Sequence, residues 1–212
     1  MPYEPSDSMY KGAFLPHTDA GGRPQMITTR LSDSLPRDIF RSIKDKASCQ
    51  AERRALTEQY LDDGRGHCWL GREDLAKIAA NSLKFYDGKN YKLIDWVIMP
   101  NHIHLVYDKP RKSIGRIVGS YKSYTAQECN RLLERAGRSF WQRDYYDRYA
   151  RDSLHLFTMS CYVILNPVKA GLVDDPFDWP YSSVHDYHPD FKEDLRRWYR
   201  SYKSSFWRSI ES

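Results

Sequence analysis

Long apolar runs are missing from this 212-residue chain. No stretch approaches the roughly 20 consecutive apolar residues that a membrane helix needs, so no membrane association is expected. The opening MPYEPSDSMYKG has no apolar core of the kind a secretory signal carries, so secretion is not expected either. Cysteine is scarce: Cys49, Cys68, Cys129 and Cys161 are widely scattered and no CxxC pair exists. That spacing gives a structural zinc cluster no support, and free buried thiols in a reducing cytoplasm are the simpler expectation. Internal repeats and low-complexity tracts are absent as well, which argues against a solenoid or a disordered linker.

What is present describes a globular chain. Hydrophobic residues make up 41% and charged residues 29%, enough to bury a core without staples. The length suits one domain with terminal additions. Lys and Arg (33) exceed Asp and Glu (28) by 5, but the excess is local. Between Arg111 and Arg151 ten basic residues meet four acidic ones, so this stretch carries +6 and the remainder −1. Tyr121, Tyr124, Trp141, Tyr145, Tyr146 and Tyr149 are interleaved with it. Basic residues alternating with aromatic rings form a track suited to nucleic acid, although a solvated helix face reads the same way.

The pattern predicts an irregular arm over 1–23, then a strand in QMITTRLSD with Met26, Thr28 and Arg30 on one face. A charged helical stretch follows over 37–61, and a clearer amphipathic helix runs from Glu73 to Tyr86. Tyr91–Met99 and His102–Tyr107 read as strands, and the short Pro100-Asn101 turn between them makes an antiparallel hairpin. Helices are expected from Ser113 to Arg135 and from Ser153 to Leu165, the second stopped by Pro167. An aromatic connector covers 140–149, and a last basic helix is expected over 190–210. This order is α+β, most simply an antiparallel sheet with helices packed on it. The implied division is an arm (1–23), a main domain (24–185) and a basic, aromatic C-terminal helix (186–212).

Two constellations carry chemistry. In a strand, residues i and i+2 share a face, so His102 and His104 project together while Ile103 points away. Two imidazoles on one face can chelate a divalent metal, or simply be satisfied histidines. In CYVILNPVKAG, Tyr162 and Asn166 stand one helical turn apart. A free phenol has a pKa of about 10 and is a poor nucleophile; a neighbouring cation would improve it. Tyr145, Tyr146 and Tyr149 have no Asn, Gln or Glu four residues on, whereas Tyr124 with Glu128 and Tyr86 with Asn90 do.

In order along the chain, WVIMPNHIHLV, SYKSYTA, FWQRDYYDRYARD, YVILNPVKAGLV and DWPYSSV together resemble one family. The first is similar to the His-hydrophobic-His motif of single-tyrosine transposases, and the others to their REP-associated branch. The opening LPHTDAGGRPQMITTRLSDSLP is similar to that branch too, so the resemblance covers about Leu15 to Val184.

The resemblance implies a ferredoxin-like α+β core with the two histidines on a central strand and the nucleophile on a nearby helix. It implies His102, His104 and Asn166 as ligands of Mg²⁺ or Mn²⁺ and Tyr162 as the nucleophile. The implied activity is cleavage and rejoining of single-stranded DNA at hairpin-forming palindromic repeats through a 5′-phosphotyrosine. A bacterial cytoplasmic protein is implied, at the nucleoid when bound to DNA, acting as a monomer with a dimer as the alternative. Arg116, Lys122, Arg131, Arg143 and Arg148 are the expected DNA contacts, and Trp141, Trp179 and Trp198 could stack on bases.

Two other readings compete. A non-catalytic nucleic-acid-binding module on the same sheet would place aromatic rings where His102 and His104 stand. A zinc hydrolase would need a third ligand such as His67 or His155, and a carboxylate base close by, for which Asp95 in the preceding strand is the candidate.

Overall fold

Every side chain from His102 to Tyr107 is buried, on both faces of its strand, and this explains why the sheet needs cover on two sides. The computed structural model describes residues 7–11, 16–187 and 189–202. Six strands are β1 (Asp7–Lys11), β2 (Pro16–Ala20), β3 (Gln25–Arg30), β4 (Lys92–Ile98), β5 (His102–Asp108) and β6 (Tyr146–Tyr149). The α-helices among the described residues are α1 (Arg37–Lys46), α2 (Gln50–Asp62), α3 (Glu73–Tyr86), α4 (Ile114–Leu132), α5 (Ser153–Lys169) and α6 (Pro189–Tyr202).

The main sheet has the order β4-β5-β3-β6 with every neighbour antiparallel. With α3 leading into β4 and α4 leading out of β5, this is the ferredoxin-like arrangement. Alternation along β5 sorts the two layers. Ile103, Leu105 and Tyr107 face α3 and α4, meeting Leu75, Ala79, Leu83, Ile117, Val118 and Tyr121. Val106, beside the two histidines on the other face, joins Val97, Met26, Met159, Tyr162 and Val163 under α5. Alternation along this almost fully buried strand thus serves two covered layers at once.

Three expectations are revised. The arm over 1–23 contains a two-stranded ribbon, β1 against β2, in register from Asp7↔Ala20 to Lys11↔Pro16. The aromatic connector hides the edge strand β6, which pairs with β3 from Gln25↔Tyr149 to Thr28↔Tyr146. Its four residues lack a clean apolar alternation because all are half-buried at a sheet edge. Helix α5 also runs through Pro167 to Lys169. A proline in the last turn removes one backbone donor, yet the turn closes around it through Ala170 N–H to Asn166 O and Leu172 N–H to Pro167 O. Asn166 therefore sits inside the helix, one full turn beyond Tyr162.

Residues 37–61 form two helices, broken at 47–49, where Cys49 caps α2 by accepting from the Glu52 N–H. The final helix is described to Tyr202, and the rest of its expected span lies outside the described residues. Cys129 and Cys161 are buried free thiols, whereas Cys49 is exposed. No helix is long and apolar enough to cross a membrane among the described residues.

A candidate metal and tyrosine site

The cross-strand register builds the floor of the site. Thr28 pairs with His104 and Arg30 with His102 between β3 and β5. Tyr146 pairs with Thr28 and Arg148 with Met26 between β6 and β3. Opposed residues share a face, so Thr28, Arg30, Tyr146 and Arg148 lie on the side of the two imidazoles. Helix α5 packs over β4 and β5 on this side and brings Tyr162 and Asn166 above the histidines. Helix α2 completes the roof and contributes Glu58, whose Oε2 accepts a 2.8 Å hydrogen bond from the Tyr162 hydroxyl.

The imidazole nitrogens have the geometry of a chelate. His102 Nε2 and His104 Nε2 are 3.1 Å apart, and Glu58 Oε2 lies 3.5 Å from His104 Nε2. One ligand atom from each of the three residues falls within 4.8 Å of the others. Bonds of about 2.1 Å to one ion would set adjacent donors roughly 3.0 Å apart in an octahedron and 3.4 Å in a tetrahedron. The observed separations need little adjustment.

Protonation supports the same arrangement. Burial pushes His102 down to about 3, with the neighbouring His104 adding to it, and burial likewise pushes His104 down to about 3. Both rings are neutral near pH 7. Asn101 sets the tautomer of His102. Its Nδ2 donates to the carbonyls of Leu61 and Arg65, so its Oδ1 is the acceptor for His102 Nδ1, at 2.7 Å. The proton is therefore on Nδ1, and the Nε2 lone pair points into the site. His104 Nδ1 is 2.8 Å from the Thr28 hydroxyl, which can donate or accept and so serves either tautomer.

Asn166 is fully buried, and neither its Oδ1 nor its Nδ2 has a hydrogen-bond partner among the described residues. It is near enough to influence both His102 and Tyr162. An unpaired buried amide costs on the order of 1–3 kcal/mol, which fits an oxygen reserved for a ligand. Burial, followed by the Glu58 and Asp62 carboxylates, holds the Tyr162 phenol well above its usual value. Lys169, on the same helix, lies 5.2 Å from the Tyr162 ring centre and pairs with Asp62 at 3.2 Å. Burial raises Asp62 to about 6. His102, His104 and Asn166 are fully covered and Tyr162 is 7% exposed, so α2 and α5 close over the reactive groups.

The structure thus brings four sequence-predicted residues together and adds Glu58, which no motif or spacing marks. The expected DNA contacts divide. Arg148 shares the site's face, but α4 carries Arg116, Lys122 and Arg131 behind the sheet, where Tyr121 bonds Thr29. Lys122 donates to the carbonyls of Gln142 and Arg143, and Arg131 pairs with Glu128. Arg143 is exposed on the connector. Trp141 and Trp179 are packed, with indole N–H groups on Thr125 and on the Ile98 carbonyl, and the Trp198 side chain lies outside the described residues. The rival zinc set does not assemble: His67 bonds Asp33 and stacks on Trp69, His155 bonds Arg148, and Asp95 accepts from Ser183 and Tyr187.

Comparison with known proteins finds partial similarities in sequence and in fold. Residues 67–164 match the family model described as Transposase IS200 like, a span that includes His102, His104 and Tyr162 and excludes Glu58 and Asn166. A protein of Haemophilus influenzae assigned as a REP-associated tyrosine transposase is 34% identical over 98 residues, covering 42% of this chain and 56% of that one. The REP-associated tyrosine transposase of Escherichia coli is 23% identical over 104 residues, covering 49% of this chain and 60% of that one. The matches thus span somewhat more than half the length of these relatives. A solved REP-associated tyrosine transposase bound to a REP hairpin superposes over 84% of each chain, with a TM-score of 0.50 and 19% identity, a likeness of fold. Over residues 67–164 the chain is thus similar to the IS200-like transposase family, and over a similar length to REP-associated tyrosine transposases.

Proposed function

We propose that the chain is a metal-dependent endonuclease and strand transferase acting on single-stranded DNA beside hairpin-forming palindromic repeats. The single observation that carries this reading is Tyr162, whose phenol stands against Glu58 and over the His102–His104 pair. The relatives' assignment and the hairpin bound by the structural neighbour support the substrate class.

His102 and His104 would hold a Mg²⁺ or Mn²⁺ ion, with Glu58 from α2 and the unpaired amide of Asn166 as the oxygen donors. A bound divalent cation would draw charge from the scissile phosphate and favour attack on it. Tyr162 Oη then forms a bond to phosphorus while the P–O3′ bond breaks, leaving a 5′-phosphotyrosine and a 3′ oxygen that takes a proton from water to become the free 3′-OH. Glu58 already accepts the phenol's hydrogen bond and is placed to take its proton as the bond forms. The covalent link conserves the energy of the broken phosphodiester, so rejoining needs no nucleotide cofactor. Because α2 covers the reactive groups, DNA reaches Tyr162 only after this helix shifts.

The test is covalent capture: single-stranded hairpin DNA from repeats beside the gene, Mn²⁺, and denaturing electrophoresis of wild type and Tyr162→Phe. A slow, protease-sensitive DNA band that depends on Tyr162 is the expected result. Retarded DNA in a native gel without any adduct favours the non-catalytic binding module.

A further inference from the structure

Three guanidinium groups converge at the N-terminal end of α5, where the tyrosine site does not use them. Arg148 extends from β6 on the site's face, and its Nη2 lies 2.5 Å from His155 Nε2. Arg151 approaches the other ring nitrogen: its backbone N–H is 3.2 Å and its Nε 3.3 Å from His155 Nδ1. Arg54 of α2 is near enough for its charge to act on Arg148 and His155, and burial with the repulsion from Arg54 and Arg151 brings the Arg148 pKa to about 10.

This arrangement is electrostatically incomplete. A neutral imidazole has one lone pair and one N–H, yet both nitrogens of His155 face N–H donors. Burial and the two arginines depress the His155 pKa, so the ring does not relieve the conflict by ionising. None of the three guanidiniums forms an ion pair among the described residues. Glu58 acts on Arg148 only through space, and the nearby Asp152 carboxylate caps the helix by accepting the His155 N–H at 2.7 Å. Such a cluster of donors and positive charge suits an anion. The place is open, for Arg151, Ser153 and Leu154 are exposed, whereas the reactive groups further along are covered.

We propose that Arg54, Arg148 and Arg151, gathered around His155, seat a phosphodiester of the single strand a nucleotide or two from the bond that Tyr162 breaks. His155 and Tyr162 are seven residues apart on α5, two turns and about 10 Å along the same face. The first-turn N–H groups of α5 add their partial positive charge at the same end. Arg54 is on α2 and Arg151 stands just ahead of α5, so a phosphate bound between them also ties α2 to the segment that leads into α5. The assignment rests on the transposase reading and makes the helix end the strand's guide toward the nucleophile.

The experiment uses full-length wild type, Arg54→Gln, Arg151→Gln and Arg151→Lys, with hairpin DNA carrying a single-stranded flank. Affinity is measured against salt, and again with one methylphosphonate, a neutral backbone unit, placed at each flank position in turn. The expected result is a salt slope shallower by about 0.7 in either Gln variant, the share of one single-strand phosphate. One methylphosphonate position weakens wild type more than it weakens either Gln variant, and Arg151→Lys keeps most of the wild-type slope. Unchanged slopes in both Gln variants, in a protein whose wild type still forms the Tyr162 adduct, overturn the phosphate seat alone. A wild type that neither binds the hairpin nor forms an adduct overturns the transposase reading, and the seat with it. Thermal melts of the variants exclude misfolding as the cause, as Arg151 is exposed and Arg54 half-buried.

Discussion

Replacing Tyr162 with Phe probes two properties at once. The ring keeps its packing against Val97, Val106, Met159 and Val163, so no cavity opens. What disappears is one hydroxyl, and with it the 2.8 Å hydrogen bond to the Glu58 carboxylate. Glu58 is 6% exposed, so the carboxylate loses a donor that water does not readily replace. Hydrogen bonds to charged groups contribute about 1.5–3 kcal/mol. For a chain of this length each kcal/mol moves the melting temperature by about 2–4 °C, so the metal-free variant should melt roughly 3–12 °C below wild type. A divalent cation changes the comparison, because Glu58 then has an ion for a partner in both proteins. Differential scanning fluorimetry with EDTA and with saturating Mn²⁺ reads both conditions. The gap should be wide in EDTA and narrow in Mn²⁺, while covalent capture is lost throughout. Equal melting temperatures in EDTA would refute the Glu58–Tyr162 bond, and a gap that Mn²⁺ leaves untouched would remove Glu58 from the metal site.

Other consequences can be checked separately. Glu58→Gln keeps the shape but removes a charged donor, so Mn²⁺ affinity by calorimetry should fall by more than the roughly 10- to 100-fold typical of losing an outer partner. Thr28→Val removes the hydroxyl from His104 Nδ1 without changing volume, and Mn²⁺ affinity should fall within that 10- to 100-fold range; an unchanged affinity would show that Thr28 does not orient the ring. Stability should fall on acidification. His102 and His104 titrate near 6.5 when unfolded and at about 3 when folded, so between these values the unfolded chain binds two more protons. Asp62 opposes this with one, because burial raises it from 3.8 to about 6. The net of one proton makes these three groups cost about 1.4 kcal/mol per unit as pH drops from about 6 to 4. Urea melts of the metal-free protein across that range would contradict the assignment if stability stayed level or rose.

The sequence by itself determined whatever depends on local geometry. A period of two places His102 and His104 on one face of β5, and a spacing of four places Tyr162 and Asn166 on one face of α5, whatever the rest of the chain does. The alternation of Met26, Thr28 and Arg30 and the short turn before His102 carry the sheet pairing in the same way. The motifs in their order carried the resemblance to transposases. Only the tertiary structure decided which helix covers which face. That choice follows from apolar area summed over distant segments, and it sent α4 with Arg116, Lys122 and Arg131 behind the sheet and α5 in front. It also brought Glu58 to Tyr162 from a charged helix with no marked spacing, and set the charges of Arg54, Arg148 and Arg151, from α2, β6 and the connector before α5, near one another. Such contacts join residues whose separation along the chain carries no period, so no window of sequence contains them.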